Sequence, residues 1–156
     1  MEISLEEFNK LPSYKRLHDQ YMEKINKIGK ELGFDTNGLK TPIGRLDAVW
    51  RIKNLNLPGI KENIPIVAFE IVCSEEQKGL KGSMSNLISS RPSLAVFCLL
   101  REGIKKSKND KNPEKWLKKI ENFVQRMKNE FNGIVRIAVW YEEDIDRLYK
   151  EIVKTK

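Results

Sequence analysis

The stretch Ile64-Pro65-Ile66-Val67-Ala68-Phe69-Glu70-Ile71-Val72-Cys73 decides the fold. It is dominated by β-branched and aromatic residues, the types that favour a pleated strand. Alternation sets Ile66, Ala68, Glu70 and Val72 on one face and Val67, Phe69, Ile71 and Cys73 on the other. Both faces are apolar apart from Glu70, which predicts a strand covered on both sides. Ser93 to Leu100 is a second continuous apolar run and predicts another central, buried strand.

Upstream, Gly44 to Lys53 alternates: Leu46, Ala48, Trp50 and Ile52 share one face, and Arg45, Asp47, Val49, Arg51 and Lys53 the other. Pro58-Gly59 marks a turn between this strand and the next. Phe34 to Pro42 is rich in turn residues and is expected to hold a short edge strand. Ahead of it, Ser4-Leu5-Glu6-Glu7 has the pattern of a capping box. A helical stripe follows through Leu17, Tyr21, Ile25 and Ile28, with a main helix beginning near Pro12 and Gly33 closing it. Downstream, Gly79 to Ser90 reads as a helix with many small residues, and Arg101 to Asn112 as a basic loop. Pro113 opens an amphipathic helix that Gly133 ends, Ile134 to Tyr141 is a strand, and Glu142 to Lys154 a last helix. The order is α-β-β-β-α-β-α-β-α, an α/β chain with a central mixed β-sheet flanked by helices, in a single domain over residues 1–156.

The 156 residues suffice for one sizeable core. Lys and Arg number 29 against 22 Asp and Glu, a net charge of +7 that favours polyanionic partners, nucleic acid before membrane. The bland alternative is a solvated Lys/Glu surface. No apolar run is long enough to span a bilayer, and the acidic start MEISLEEF does not resemble a leader, so a cytoplasmic location is expected. Cys73 and Cys98 lie in apolar runs and are expected in the core. His18, the sole histidine, has charged neighbours and is expected at the surface.

Two acids stand where acids are costly. Glu70 interrupts an apolar strand, and Asp47 lies between Leu46 and Ala48 in its neighbour. If the strands pair, the carboxylates meet, and their repulsion is relieved by a shared proton or a divalent cation. Such a cation orients water and stabilises the charge that builds at phosphorus. A structural network with Arg45, Arg51 or Lys81 is the alternative.

Gly44-Arg45-Leu46-Asp47-Ala48-Val49-Trp50, a turn, and Ile66-Val67-Ala68-Phe69-Glu70-Ile71-Val72 resemble the core of the restriction-endonuclease-like, PD-(D/E)xK, nuclease superfamily. Gly79 to Leu87 is similar to the helix that follows in archaeal-looking members. The resemblance implies a restriction-endonuclease-like core (α-β-β-β-α-β with added β and α elements). It implies a metal-dependent endonuclease, a hydrolase of DNA phosphodiester bonds. Asp47, Glu70 and the carbonyl of Ile71 would bind Mg2+ or Mn2+. Val72 departs from the family pattern, which places a lysine, acid or amide there to stabilise charge. Lys81 or Lys78, helped by Gln77, would replace it, and Glu31 would be a further acid near the metal. Arg45, Arg51, Lys53, Lys78, Lys105, Lys106 and Lys108 would hold the DNA backbone. Domains of this type often pair, so a homodimer is a further expectation. Val72 also leaves open a degraded nuclease fold that binds nucleic acid, or serves in assembly, without cutting.

No GxxxxGK[ST] or GxSxG motif occurs. Trp50, Trp116 and Trp140 read as core, and Glu142, Glu143, Asp144 and Asp146 as acids at a helix start.

Overall fold

A computed structural model describes residues 4–10, 13–42, 44–53, 56–74, 77–107 and 112–155. The chain runs α1 (Leu5–Lys10), α2 (Ser13–Glu31), β1 (Ala48–Ile52), β2 (Ile64–Val72), α3 (Gln77–Ser89), β3 (Leu94–Leu99), α4 (Arg101–Ser107), α5 (Pro113–Glu130), β4 (Ile137–Tyr141) and α6 (Glu142–Ile152). The four strands form one mixed sheet in the order β1-β2-β3-β4. β1 pairs antiparallel with β2, whereas β2, β3 and β4 are parallel. A flanked α/β sheet is therefore the architecture, as the apolar runs predict. Among the described residues no helix is long and apolar enough to cross a membrane.

Local chemistry accounts for the ends of several elements. Ser4 and Glu7 form the capping box, with Glu7 N–H donating to Ser4 Oγ at 3.2 Å and Ser4 N–H to Glu7 Oε2 at 2.9 Å. Gly33 ends α2 at φ 89°, a left-handed conformation that favours glycine. Asn112 caps α5 by accepting from Lys115 N–H at 3.1 Å.

The alternation of β2 divides the core in two. Ala68 and Val72 pack with Leu80, Met84 and Leu87 of α3 and with Trp116, Ile120, Phe123 and Met127 of α5. Val67, Phe69, Ile71 and Cys73 pack on the opposite face with Tyr21, Ile25 and Ile28 of α2 and Ile145 of α6. Both cysteines are buried and unpaired by a disulfide, and Trp50 and Trp116 are buried, as expected. β2 carries one extra residue opposite β1: Trp50 faces Val67 but Arg51 faces Pro65, so the ladder slips at Ile66. That irregularity accommodates Pro65, which has no N–H to donate.

Three expectations change. Phe34 to Pro42 forms no strand; its ladder-type pairing is limited to isolated bridges, Asp35 with Arg51 of β1 and Lys40 with Arg45 ahead of β1. The segment read as a basic loop begins with a helix, α4, because Gly103 and Ile104 are buried. A Cβ at Gly103 would come within 2.2 Å of Cys73 Sγ, so the helix approaches the end of β2 closely. Finally, Leu46 packs with Val49 rather than with Ala48 and Trp50. β1 starts only at Ala48, and the bend at Asp47 breaks the alternation before it.

α2 lies against β1 through Gly29. Trp50 Nε1 donates to Ile25 O at 3.0 Å, and its ring contacts Phe34, Phe69 and Trp140. A Cβ on Gly29 would fall 2.4 Å from Trp50 Nε1. Gly29→Ala should therefore destabilise by about 1–3 kcal/mol, seen as a lower Tm. Gly82→Ala, whose added Cβ meets nothing within 4 Å, should leave Tm unchanged or raise it.

A carboxylate pair at the end of the antiparallel ladder

The β1–β2 ladder ends at the pair Ala48 and Phe69, so Glu70 and Ile71 lie beyond it. Asp47, immediately before β1, fills the gap: its Oδ2 accepts from Ile71 N–H at 2.7 Å. The N–H and C=O of one strand residue point to the same side, so the Ile71 carbonyl faces the same edge. Glu70 points from β2 toward α3, where Asn86 Nδ2 donates to its Oε1 at 3.2 Å. Asn86 is held in turn by Thr41 Oγ1, which donates to Asn86 Oδ1 at 2.8 Å. Thr41 belongs to a tight turn closed by Thr41 N–H to Gly44 O at 2.6 Å.

The two acids come together as expected. Asp47 is held at the N–H of Ile71, the residue after Glu70, and the Glu70 carboxyl lies close enough to act on the Asp47 carboxyl. Glu70 is 5% exposed, whereas the side chain of Asp47 is 24% exposed and offers the open side of the pair. Burial pushes the Asp47 carboxyl up, but hydrogen bonds from His18, Glu70 and the Ile71 N–H hold it below the usual aspartate value.

His18 is the residue the sequence reading placed wrongly. It is not a free surface group: Nε2 lies 3.3 Å from Asp47 Oδ1, and Nδ1 lies 3.4 Å from Asp19 Oδ1. Burial pushes its imidazole down, yet the bond and charge of Asp47, with those of Asp19, hold it above the ordinary value. Helical spacing carried the signal, since His18, Met22 and Ile25 recur at four and three residues along one side of α2. Asn86 was also missed. It follows Gly79, Gly82 and Ser83 on one side of α3, a small-residue face that leaves room for its amide.

The expected cations scatter. Lys81 lines a cleft of about 450 Å3 with Met84, Ser85, Phe123, Arg126 and Met127, between α3 and α5. Five residues separate Lys81 from Asn86, about 140° around the helix, so it does not join the carboxylates. Val72 is 1% exposed within the α3–α5 core. Lys78 lies in the first turn of α3, and its side chain, like that of Gln77, is not described; Lys108 lies outside the described residues. Arg51 is committed to the fold: its Nη2 lies 3.5 Å from Asp35 Oδ2 and donates to Asn37 O at 3.1 Å. Lys105 pairs with Glu114 at 2.8 Å and Glu102 at 3.5 Å. Arg45, Lys53 and Lys106 are exposed. Glu31, thirteen residues beyond His18, is about 20 Å further along α2 and away from the pair.

Among the described residues no three His, Cys, Asp or Glu side chains gather closely enough to hold a metal by themselves. Comparison with protein-family models, curated proteins and solved structures finds no significant match to this chain.

The His18–Asp47 contact carries a signed pH dependence. Because the folded-state value lies above the ordinary imidazole value of about 6.5, its stabilisation is complete below about pH 6.5 and fades as pH rises through the folded value. Thermal melts from about pH 6 to 9 should show a falling Tm, and His18→Asn should lose that component of the fall.

Proposed function

We propose that this protein is a divalent-metal-dependent nuclease acting on DNA, with Asp47 and Glu70 as its metal-binding residues. The observation that carries the reading is the convergence of these two carboxyl groups at the open end of the β1–β2 ladder, in a chain of net charge +7. The donor set suits a hard cation. Mg2+ commonly takes only one or two protein carboxylates and completes its shell with water and substrate phosphate, so a pair with no third acidic or histidine ligand among the described residues suits it. When bound, the ion would activate water and offset the charge developing at phosphorus.

The chain's own groups hold that arrangement. Ile71 N–H fixes Asp47 Oδ2, and Asn86, steadied by Thr41, orients Glu70. Outer groups of this kind preserve ligand direction and tune affinity. His18 sits against the remaining Asp47 oxygen, on the side where the carboxylate is exposed. It is the described side chain best placed to hold the substrate or a water there. Arg45 and Lys53 flank β1 as exposed cations for the phosphate backbone, with Lys106 on α4.

One observation favours a second reading, a nuclease-like domain that binds nucleic acid without cutting it. Val72 is sealed in the core and Lys81 faces α5, so neither position supplies a charge at the carboxylate pair.

Cleavage separates the two. Incubation with single-stranded, duplex and branched DNA should give cutting that requires Mg2+ or Mn2+. Glu70→Gln, which keeps the shape of the side chain, should reduce it at least about a hundredfold, the scale of losing a metal's charge stabilisation. Salt-sensitive DNA binding with no cutting of any form in either metal supports the second reading.

A further inference from the structure

A cleft of about 380 Å3 opens directly beside Asp47, between α2 and the segment leading into β1. Met22, Leu46 and Ala48 supply apolar wall, and Asn26, Arg45 and Asp47 the polar groups. The size falls within the range of pockets that enclose small organic groups. Two features of the cleft are unexplained by the fold. Asn26 Oδ1 is buried without a hydrogen-bond partner, a condition native proteins rarely tolerate unless a water or ligand completes the site. The Arg45 guanidinium lies across Gly38, where a Cβ would come within 2.7 Å of Nη2, and no ion pair among the described residues holds it.

We propose that this cleft receives an unpaired nucleotide adjacent to the phosphodiester bound at Asp47 and Glu70. The inference rests on the nuclease reading and narrows its substrate to nucleic acid with a single-stranded segment. The chemistry of the walls matches each part of a nucleotide. A flat base has an apolar face, which can rest against the half-buried Met22 side chain, and a hydrogen-bonding edge. An amide carries both donors and an acceptor, so Asn26 can read that edge. Its oxygen is unlocked by any internal bond, and the terminal torsion of asparagine is broad, so the amide turns toward a base at little cost. Arg45 offers a planar fork of donors suited to a phosphate oxygen. Asp47 alone would repel a phosphate, and Arg45 in the same cleft offsets that. A paired, stacked base cannot enter such a recess without being extruded from the duplex, whereas an unpaired base enters freely.

The test is binding rather than cutting. The full chain is titrated calorimetrically, without divalent metal, with a short single-stranded DNA and with a blunt hairpin duplex of matched length. The single strand should bind at least about tenfold more tightly; Asn26→Leu should weaken it about tenfold while leaving the duplex unchanged, and Arg45→Gln should weaken the single strand about tenfold and the duplex by less. Asn26→Asp, nearly the same shape, guards against a folding defect: it should lose single-strand affinity with Tm retained. Equal affinity for strand and duplex, or unaltered single-strand binding by all three variants, overturns the cleft proposal. The outcome is independent of the cleavage assay. Cutting without any effect at Asn26 or Arg45 rejects the nucleotide cleft alone. Strand preference that depends on both residues, in a protein that cuts nothing, rejects the nuclease reading and keeps the cleft as a strand-binding site.

Discussion

A carboxylate placed in a strand that helices cover on both faces is the constraint around which this molecule is arranged. Glu70 lies in β2 between α3 with α5 on one side and α2 with α6 on the other, and an uncompensated charge there would cost several kcal/mol in lost hydration. Its compensation comes from three directions. Asn86 reaches in from α3, Asp47 shares its hydrogen bond from the start of β1, and His18 closes over Asp47 from α2. The turn around Thr41 exists in this form partly to hold Asn86. Elements far apart in sequence are thus tied to one buried polar cluster, and satisfied clusters of this kind specify a single packing arrangement.

The positive charge is not a uniform coat. Arg51 supports the loop at Asp35 and Asn37, and Lys105 joins α4 to α5 through Glu114. Arg101 lies 3.6 Å over the Tyr141 ring while pairing with Glu143, and Lys24 ties α2 to Asp146 of α6 at 2.7 Å. These cations are spent on joining elements. The exposed pairs among them add little stability individually, but they leave fewer charges for a polyanion than a net +7 suggests. Arg45, Lys53 and Lys106 carry no such tie among the described residues and are among the exposed cations available to a partner.

The sheet was legible because its strands are long apolar runs whose period needs no tertiary information: β2, β3 and β4 fall within the segments read from pattern alone. The pairing of Asp47 with Glu70 was legible for the same reason, since two acids in adjacent apolar strands have few other places to go. What escaped depended on context. α4 looked like a loop because its five polar residues outweigh Gly103 and Ile104, and only the close approach to Cys73 makes a helix there profitable. Phe34 to Pro42 looked like an edge strand, but its hydrogen bonds go to single bridges and to side chains such as Asp35. Lys81 was expected at the site because the resemblance moves the missing lysine to the following helix, whereas the helical turn decides which side of α3 it occupies.

The position of the carboxylate pair follows from an incomplete ladder. β1 runs antiparallel to β2 and is short, so its hydrogen bonding stops at Phe69 while β2 continues through Val72 alongside β3. The far half of β2 therefore has a partner on only one side. An open edge in a sheet interior must be covered, because an unsatisfied backbone N–H is costly. Asp47 does this with a side-chain oxygen in place of a strand carbonyl, and in doing so brings a negative charge to the one point where Glu70 is already buried. Each acid thereby requires the other's surroundings: without Asp47 the Ile71 N–H loses its acceptor, and without Glu70 the Asn86 amide loses its acceptor. Val72, one step further along the same face, has no such gap to fill and turns into the α3–α5 core. A lysine at that position would have to bury its charge in the core that holds Leu80, Met84 and Trp116, so a third polar group beside Asp47 and Glu70 has to enter from α2 or α3, as His18 and Asn86 do, rather than from position 72 of β2.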